Sequence, residues 1–405
     1  MADEGRKIPS WIDKDFVQRA LREGERDSSL TVTSFVIKPG NAAGDGYSSD
    51  MFRLTAKLSD TQERQMIIKC HPQGGLREVL MKNMNTFNKE SRMFTETLAM
   101  MNRLLQRALP GKYQPLTAKL LYHGNNPLTF LVLEDLRPSG FVMANRQQGL
   151  DLAHCSLIMK KLAHFHAASV ALHEQNPSTL EYYSENGFHE QSKAQLDAFV
   201  VNTLTLLANE VSTWKGYEKY VSKLENMKNN FTDRLIQTCK RKEDEFNVLI
   251  HGDFWTNNML FRYSGNTVKD IRFVDLQMVH YTSFALDLHY FFYSSPSDEV
   301  RVSHMDRLIE EYHTTLTDTL RILGCSRKIS LSQLQKTFKE YAIYGLYVAI
   351  CVMPIVLSDP EHGFDIEKSL TVSDSAQANR GLFSNERYVK VIKRLLPIFE
   401  ENGVL

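Results

Sequence analysis

Apolar side chains along this chain follow two periods in turn, and the change from one to the other marks its organisation. Leu30 to Lys38 is β-branched and mostly alternating, and Met51 to Leu58, Arg64 to Cys70, Ala118 to Tyr122 and Thr129 to Leu133 also read as strands. Two helical patterns share this part of the chain. One starts in Pro9-Ser10-Trp11-Ile12-Asp13, with Ser10 expected as N-cap and Phe16, Val17, Ala20 and Leu21 at helical spacing. The other is a long pattern from about Leu76 to Leu109. The run Glu134-Asp135-Leu136-Arg137-Pro138-Ser139-Gly140 is rich in turn residues and marks a boundary. Beyond it the period is helical, through Asp151 to Leu172, the region Asn176 to Glu245, a start at Phe284, then Met305 to Leu323, Leu331 to Val356 and Asn385 to Phe399. Val248 to Leu276 interrupts this with three short β-type runs. The pattern predicts an α+β protein of two lobes. Residues 1–136 form a small antiparallel-sheet lobe with one long helix, and residues 137–405 form a larger, mainly helical lobe.

Composition narrows the class of protein. Hydrophobic residues make up 42% and charged residues 24% of the 405 positions, as in an ordinary globular chain with a sizeable core. Lys plus Arg (48) balance Asp plus Glu (48), so no global field attracts nucleic acid or an anionic membrane. Neither is expected as a partner. Cys70, Cys155, Cys239, Cys325 and Cys351 are scattered and show no Cys-x-x-Cys spacing, which points away from a disulfide framework or zinc site and toward a reducing, cytoplasmic setting. The polar N-terminus, Met1 to Lys7, leads into no apolar core, so no secretory signal is expected. Tyr341 to Val356 is the most apolar run, but it contains Gly345 and Pro354, is short for a membrane span, and reads as a buried helix. Nothing in the sequence specifies an oligomeric state.

The interrupting stretch carries the chemistry. His251, Asp253 and Asn258 have the His-x-Asp-x-x-x-x-Asn spacing of phosphoryl-transfer loops, and Asp275 closes the next apolar run. Phosphoryl transfer needs an aligned acceptor hydroxyl and cations on phosphate oxygens. Asp253 is expected to accept or orient the hydroxyl proton, His251 to orient the loop, and Asn258 and Asp275 to supply hard oxygen ligands that suit Mg2+. Upstream, Lys69 ends the third strand, where an ammonium would meet nucleotide phosphates. Glu90 on the long helix is its expected ion-pair partner, with Glu96 weaker because it lies on another face. The segment Gly40 to Ser49 reads either as a phosphate-cradling turn or as a flexible hairpin loop. The hinge presenting backbone groups to an adenine edge falls at Glu134 to Leu136. His164 and His166 read as helix-packing residues, and Asp287 as a buried carboxylate that braces the loop through backbone hydrogen bonds.

Taken together, Gly44-Asp45-Gly46-Tyr47-Ser48-Ser49, Ile68-Lys69, Phe87-Asn88-Lys89-Glu90, Leu131 to Leu136, Leu162 to Ala167, His251 to Asn258 and Val274-Asp275-Leu276-Gln277 give a chain that resembles the insect ecdysteroid kinase-like family. That family is a branch of the choline kinase and aminoglycoside phosphotransferase group within the protein-kinase-like fold. The resemblance implies ATP-dependent, Mg2+-dependent phosphorylation of a hydroxyl on a small molecule, an ecdysteroid or similar polyhydroxylated apolar compound, or a xenobiotic. It also implies nucleotide contacts from Tyr47, Ser48, Ser49, Lys69, Glu90, Glu134 and Leu136. Gly46 stands where such sequences usually have Asn. Two other readings are a catalytically silent kinase-fold binding protein and a choline or aminoglycoside-type kinase. Retention of Lys69, Asp253, Asn258 and Asp275 weighs against the first. Aromatic and aliphatic side chains such as Tyr344, Tyr347, Ile350 and Met353, in place of an acidic or aromatic-cage pocket, weigh slightly against the second, although most of them read equally as ordinary packing of the helical lobe.

Overall fold

The computed structural model describes residues 8–40, 49–72, 78–79, 81–82, 84–185, 187–359 and 380–405. They group into two compact units. The first takes Met1–Asn102, Gln114–Val142 and Leu260–Met278; the second takes Arg103–Tyr113, Met143–Met259 and Val279–Leu405.

The first unit is built on a five-stranded antiparallel sheet in the order β1-β2-β3-β5-β4, with β1 Val32–Pro39, β2 Asp50–Leu58, β3 Glu63–Cys70, β4 Leu120–Gly124 and β5 Phe130–Glu134. Strand alternation sorts its side chains between two faces. Phe52, Leu54, Ala56, Met66 and Ile68 form a core with Phe16, Val17, Ala20 and Leu21 of helix α1, Lys14–Glu25. In the β2–β3 register Met51 pairs with Lys69, Arg53 with Ile67 and Thr55 with Gln65, so these residues share the opposite face. The cap of α1 differs from expectation. Asp13, not Ser10, is the N-cap, and its Oδ1 accepts the Phe16 amide at 2.8 Å.

The long helix expected over 76–109 also differs. Residues 73–77, 80 and 83 lie outside the described set. From Thr86 the chain runs as α2 Thr86–Arg92, a π turn over Met93–Thr97, and α3 Leu98–Ala108. Strand β6, Phe141–Met143, was not expected; it forms a three-stranded sheet in the order β6-β8-β9 with β8 Met259–Ser264 and β9 Thr267–Phe273. The Phe273 amide also donates to Leu116 O at 2.9 Å. This pairing groups Leu260–Met278 with the first unit although it follows the boundary at residue 136.

The second unit is helical. Helix α4, Leu152–Gln175, is capped by Asp151 on the His154 amide and is buried along much of its length. The region 176–245 supplies α5 Ser178–Glu181, α6 Lys193–Val211, α7 Glu218–Met227 and α8 Phe231–Cys239. A two-stranded antiparallel ladder joins β7 Asn247–Ile250 to β10 His280–Ser283, the second of which was not expected. Then come α9 Ala285–Ser294, α10 Asp298–Ser303 and α11 Met305–Leu323.

The single helix expected over 331–356 is broken. It comprises α12 Leu331–Glu340, α13 Ala342–Tyr347, a π turn over Val348–Val352 and α14 Met353–Leu357, with a 53° bend between Leu331–Glu340 and the rest. Pro354 explains the second irregularity, because it has no N–H for the turn before it and its ring crowds the preceding carbonyls. Among the described residues no single helix is long and apolar enough to cross a membrane; the bent pair passes only when its two parts are joined. Helix Glu386–Glu401 ends the unit.

Candidate active site

Each unit gathers its own set of functional side chains. In the first, β3 ends with the Lys69 ammonium, which lies 2.8 Å from Glu90 Oε1, 2.7 Å from Oε2 and 2.9 Å from Asp275 Oδ1. Glu90 is fixed from a second side, accepting the Leu276 amide at 3.1 Å and the Gln277 side-chain amide at 3.2 Å. Lys69 and Glu90 are buried, whereas the Asp275 side chain keeps 27% of its exposure. Burial pulls the Lys69 ammonium toward neutrality, but the charges of Asp275 and Glu90 outweigh it and hold its pKa above the ordinary lysine value. Glu96 points elsewhere, paired with Arg92. One ammonium faces two carboxylates, and burial pushes the Glu90 carboxyl above its ordinary pKa even with Lys69 beside it.

Asp275 also has φ +62°, a left-handed backbone that few residues other than glycine and asparagine-like ones adopt. On the Lys69 face of the sheet lies a cavity of about 610 Å³ lined by Val36, Lys38, Arg53, Thr55, Gln65 and Arg137, among others. Asp135 at the end of β5 joins two of these cations, hydrogen-bonding Arg53 and, at 3.2 Å, Arg137. The Glu134 amide donates to Lys119 O at 2.9 Å, and Leu136 is buried with Ala118 and Phe141. Ser49 is buried; Tyr47 and Ser48 lie outside the described residues.

In the second unit, β7 delivers the loop that begins at His251. The loop is tied to α9 by Asp287, whose Oδ2 accepts the His251 amide at 2.8 Å and whose Oδ1 accepts the Gly252 amide at 2.9 Å. The brace expected of Asp287 is therefore formed. His166 lies 3.1 Å from the same Oδ2, with its other ring nitrogen 2.7 Å from the Tyr312 hydroxyl. Burial keeps His166 below its ordinary pKa and hence neutral, so its Nε2–H donates to Asp287 and Nδ1 accepts from Tyr312. Gly252 takes φ +80°, a conformation that suits glycine and turns the chain toward Asp253.

The Asp253 amide donates to His251 Nδ1 at 3.4 Å, which makes His251 a support of the loop. Asn258, in the short helical turn Thr256–Asn258, donates its side-chain amide to both the Asp253 carbonyl and Oδ2, each at 2.8 Å. Tyr290 of α9 donates to Oδ1 at 2.5 Å. Sequence reasoning did not single out Tyr290. Its one signal was its place three residues after Asp287, on the same helix face. Gln277 and Tyr312 were likewise not singled out for these contacts. Among the described residues no three His, Cys, Asp or Glu side chains form a metal-holding group.

A profile of the ecdysteroid kinase-like family matches residues 43–325, well over half of the chain. The chain belongs to the ecdysteroid kinase-like family. Membership supports a phosphotransferase acting on small molecules and a kinase-like fold for its sheet-plus-helical architecture. Comparison with curated proteins returned no match. Among solved structures, the chain is similar to an ethanolamine kinase of Plasmodium vivax, with 12% identity, a TM-score of 0.44, and coverage of 91% of this chain and 83% of that one. It is also similar to a Ralstonia eutropha protein described as a candidate aminoglycoside phosphotransferase, with 13% identity, a TM-score of 0.46, and coverage of 94% and 98%. At those identities and scores the family assignment rests on the sequence match.

Proposed function

We propose that the protein transfers the γ-phosphoryl group of ATP to a hydroxyl of an ecdysteroid or similar polyhydroxylated apolar compound, a xenobiotic among them. It does so in the cytoplasm, without nucleic acid or membrane as a partner. The observation that carries this reading is the state of Asp253, a partly exposed carboxylate with both oxygens held by named donors. A group so fixed can receive a hydroxyl proton without reorganising. Lys69, kept charged by its neighbours, neutralises nucleotide phosphate oxygens, and Glu90 keeps Lys69 in place. Ser49, and from the sequence Tyr47 and Ser48, contribute to the phosphate turn. Glu134 and Leu136 meet the adenine edge.

The donor set suits magnesium. Asp275 offers a partly exposed carboxylate, and the sequence motif adds the amide oxygen of Asn258. Mg2+ usually takes one or two such protein ligands and completes its shell with phosphate oxygens and water, so a cluster of three acidic side chains is not required. When bound, the ion draws charge from the phosphate oxygens. His251 and Asp287 keep the loop in shape around Asp253.

The test is acceptor-dependent ADP release. Asp253→Ala should lower turnover by at least ~10²-fold while the protein stays folded. An undiminished rate would remove Asp253 from the chemistry. Failure of both wild type and variant to consume ATP with any hydroxylated acceptor would return the chain to the silent binding reading.

A further inference from the structure

Tyr290 connects the carboxylate of Asp253 to a group of aromatic rings. Its hydroxyl gives Asp253 Oδ1 a hydrogen bond of 2.5 Å, short enough to be charge-assisted, while Asn258 holds Oδ2. Its ring centroid lies 6.5 Å from that of Tyr344, and Tyr344 stacks on Tyr347 at 5.7 Å. Phe188 meets both edge-on, at 5.8 Å and 5.4 Å. Tyr344 is buried, whereas Phe188, Tyr290 and Tyr347 are half-buried, as is Asp253, so the rings keep surface for a ligand. Burial and the Asp253 charge both push the Tyr290 hydroxyl well above its ordinary pKa, so it remains a donor throughout the working range.

We infer that Tyr290 is a positioning residue for phosphoryl transfer, fixing the Asp253 carboxylate toward the acceptor hydroxyl, and that with Phe188, Tyr344 and Tyr347 it forms an aromatic wall for a ring-bearing alcohol. The inference rests on Asp253 being the proton acceptor. In the step itself the acceptor oxygen forms a bond to the γ-phosphorus, and its proton passes to the Asp253 carboxylate. The bond from that phosphorus to the β–γ bridging oxygen breaks, and ADP leaves with the electron pair. The Tyr290 hydroxyl on one oxygen and the Asn258 amide on the other hold the carboxylate in one orientation. Aliphatic side chains would bury a ligand equally well, but rings also meet planar and fused-ring systems by face and edge, which discriminates by shape.

The experiment measures steady-state ADP release with magnesium-ATP and a panel of alcohols from trihydroxy steroids to glycerol, for wild type, Asp253→Asn, Tyr290→Phe and Tyr347→Ala. Tyr290→Phe keeps the ring, so its steroid KM should stay within about twofold while kcat falls about ten- to hundred-fold, as expected for loss of a hydrogen bond to a charged group. Tyr347→Ala should lower the kcat/KM ratio of steroid to glycerol by about fivefold or more. An active wild type with an inactive Asp253→Asn and an unimpaired Tyr290→Phe overturns the positioning role alone. An unchanged steroid-to-glycerol ratio in Tyr347→Ala overturns the wall. A wild type inactive with every alcohol overturns the proposed function and this inference with it.

Discussion

Burial alone would push the Asp287 carboxyl up, but His166 and the Gly252 amide outweigh it and hold its pKa below the usual value. Asp287→Ala would strand the His251 and Gly252 amides and the His166 ring in the interior. Such unpaired groups cost about 2–4 kcal/mol, readable as a lower urea midpoint. Lys69→Met should cost a similar amount or more, about 3–5 kcal/mol, because buried Glu90 loses its counter-charge. His164 and His289 give a pH dependence. Burial lowers both to about 4, so the native state keeps them neutral while the unfolded chain protonates near the ordinary 6.5. Their stabilisation is full above about 6.5 and is lost as pH falls toward 4. Urea unfolding at pH 7.5, 5.5 and 4.5 checks this, and a flat profile would contradict it. At this scale the sequence is informative where side-chain roles carry fixed spacing. His251, Asp253 and Asn258 are separated by loop geometry, and the Lys69–Glu90 ion pair joins a strand end to a helix. Tyr290 had no such signature, being one aromatic among several in Tyr290-Phe291-Phe292-Tyr293.

Helix α13 approaches α9 at Gly345. A Cβ there would come within 2.6 Å of the Tyr293 ring and 2.7 Å of His289 Nδ1. Both rings are buried, and His289 is pinned by its stack on Phe338 with centroids 4.0 Å apart. Gly345→Ala should therefore force the helices apart and destabilise by about 1–3 kcal/mol, seen as a lower Tm, and it should impair turnover because Tyr290 and Tyr344 lie on those two helices. Elements with local signals were legible. Asp151 began α4 as expected, and the alternating runs became β1 to β5. Breaks within helices were less so. The bend near Tyr341 is accompanied by a 2.6 Å hydrogen bond from its hydroxyl to Glu245, a partner distant in sequence. Ser10 and Asp13 are both good capping residues, and the cap falls at Asp13 because the helix begins at Lys14 behind its extended backbone.

For the whole molecule, net neutrality leaves ligand binding to local groups rather than a global field. Magnesium-ATP should raise Tm, with about 2.7 kcal/mol of stabilisation at a hundredfold excess over Kd, and a chelator should withdraw the magnesium-dependent part. No shift with nucleotide, with or without magnesium, would argue against the donor site. Chain order gave the sheet-then-helix arrangement but not the return of Leu260–Met278 to the first unit, which depends on pairing between β6, β8 and β9. The double anchorage of the His251 loop to α9, through Asp287 and through Tyr290, also bears on motion. Amide protons of His251 and Gly252 are tied up by a side chain of that helix, so solvent reaches them only when the attachment opens. Their deuterium uptake should follow that of the α9 backbone, and Asp287→Asn should release the loop amides before the helix itself.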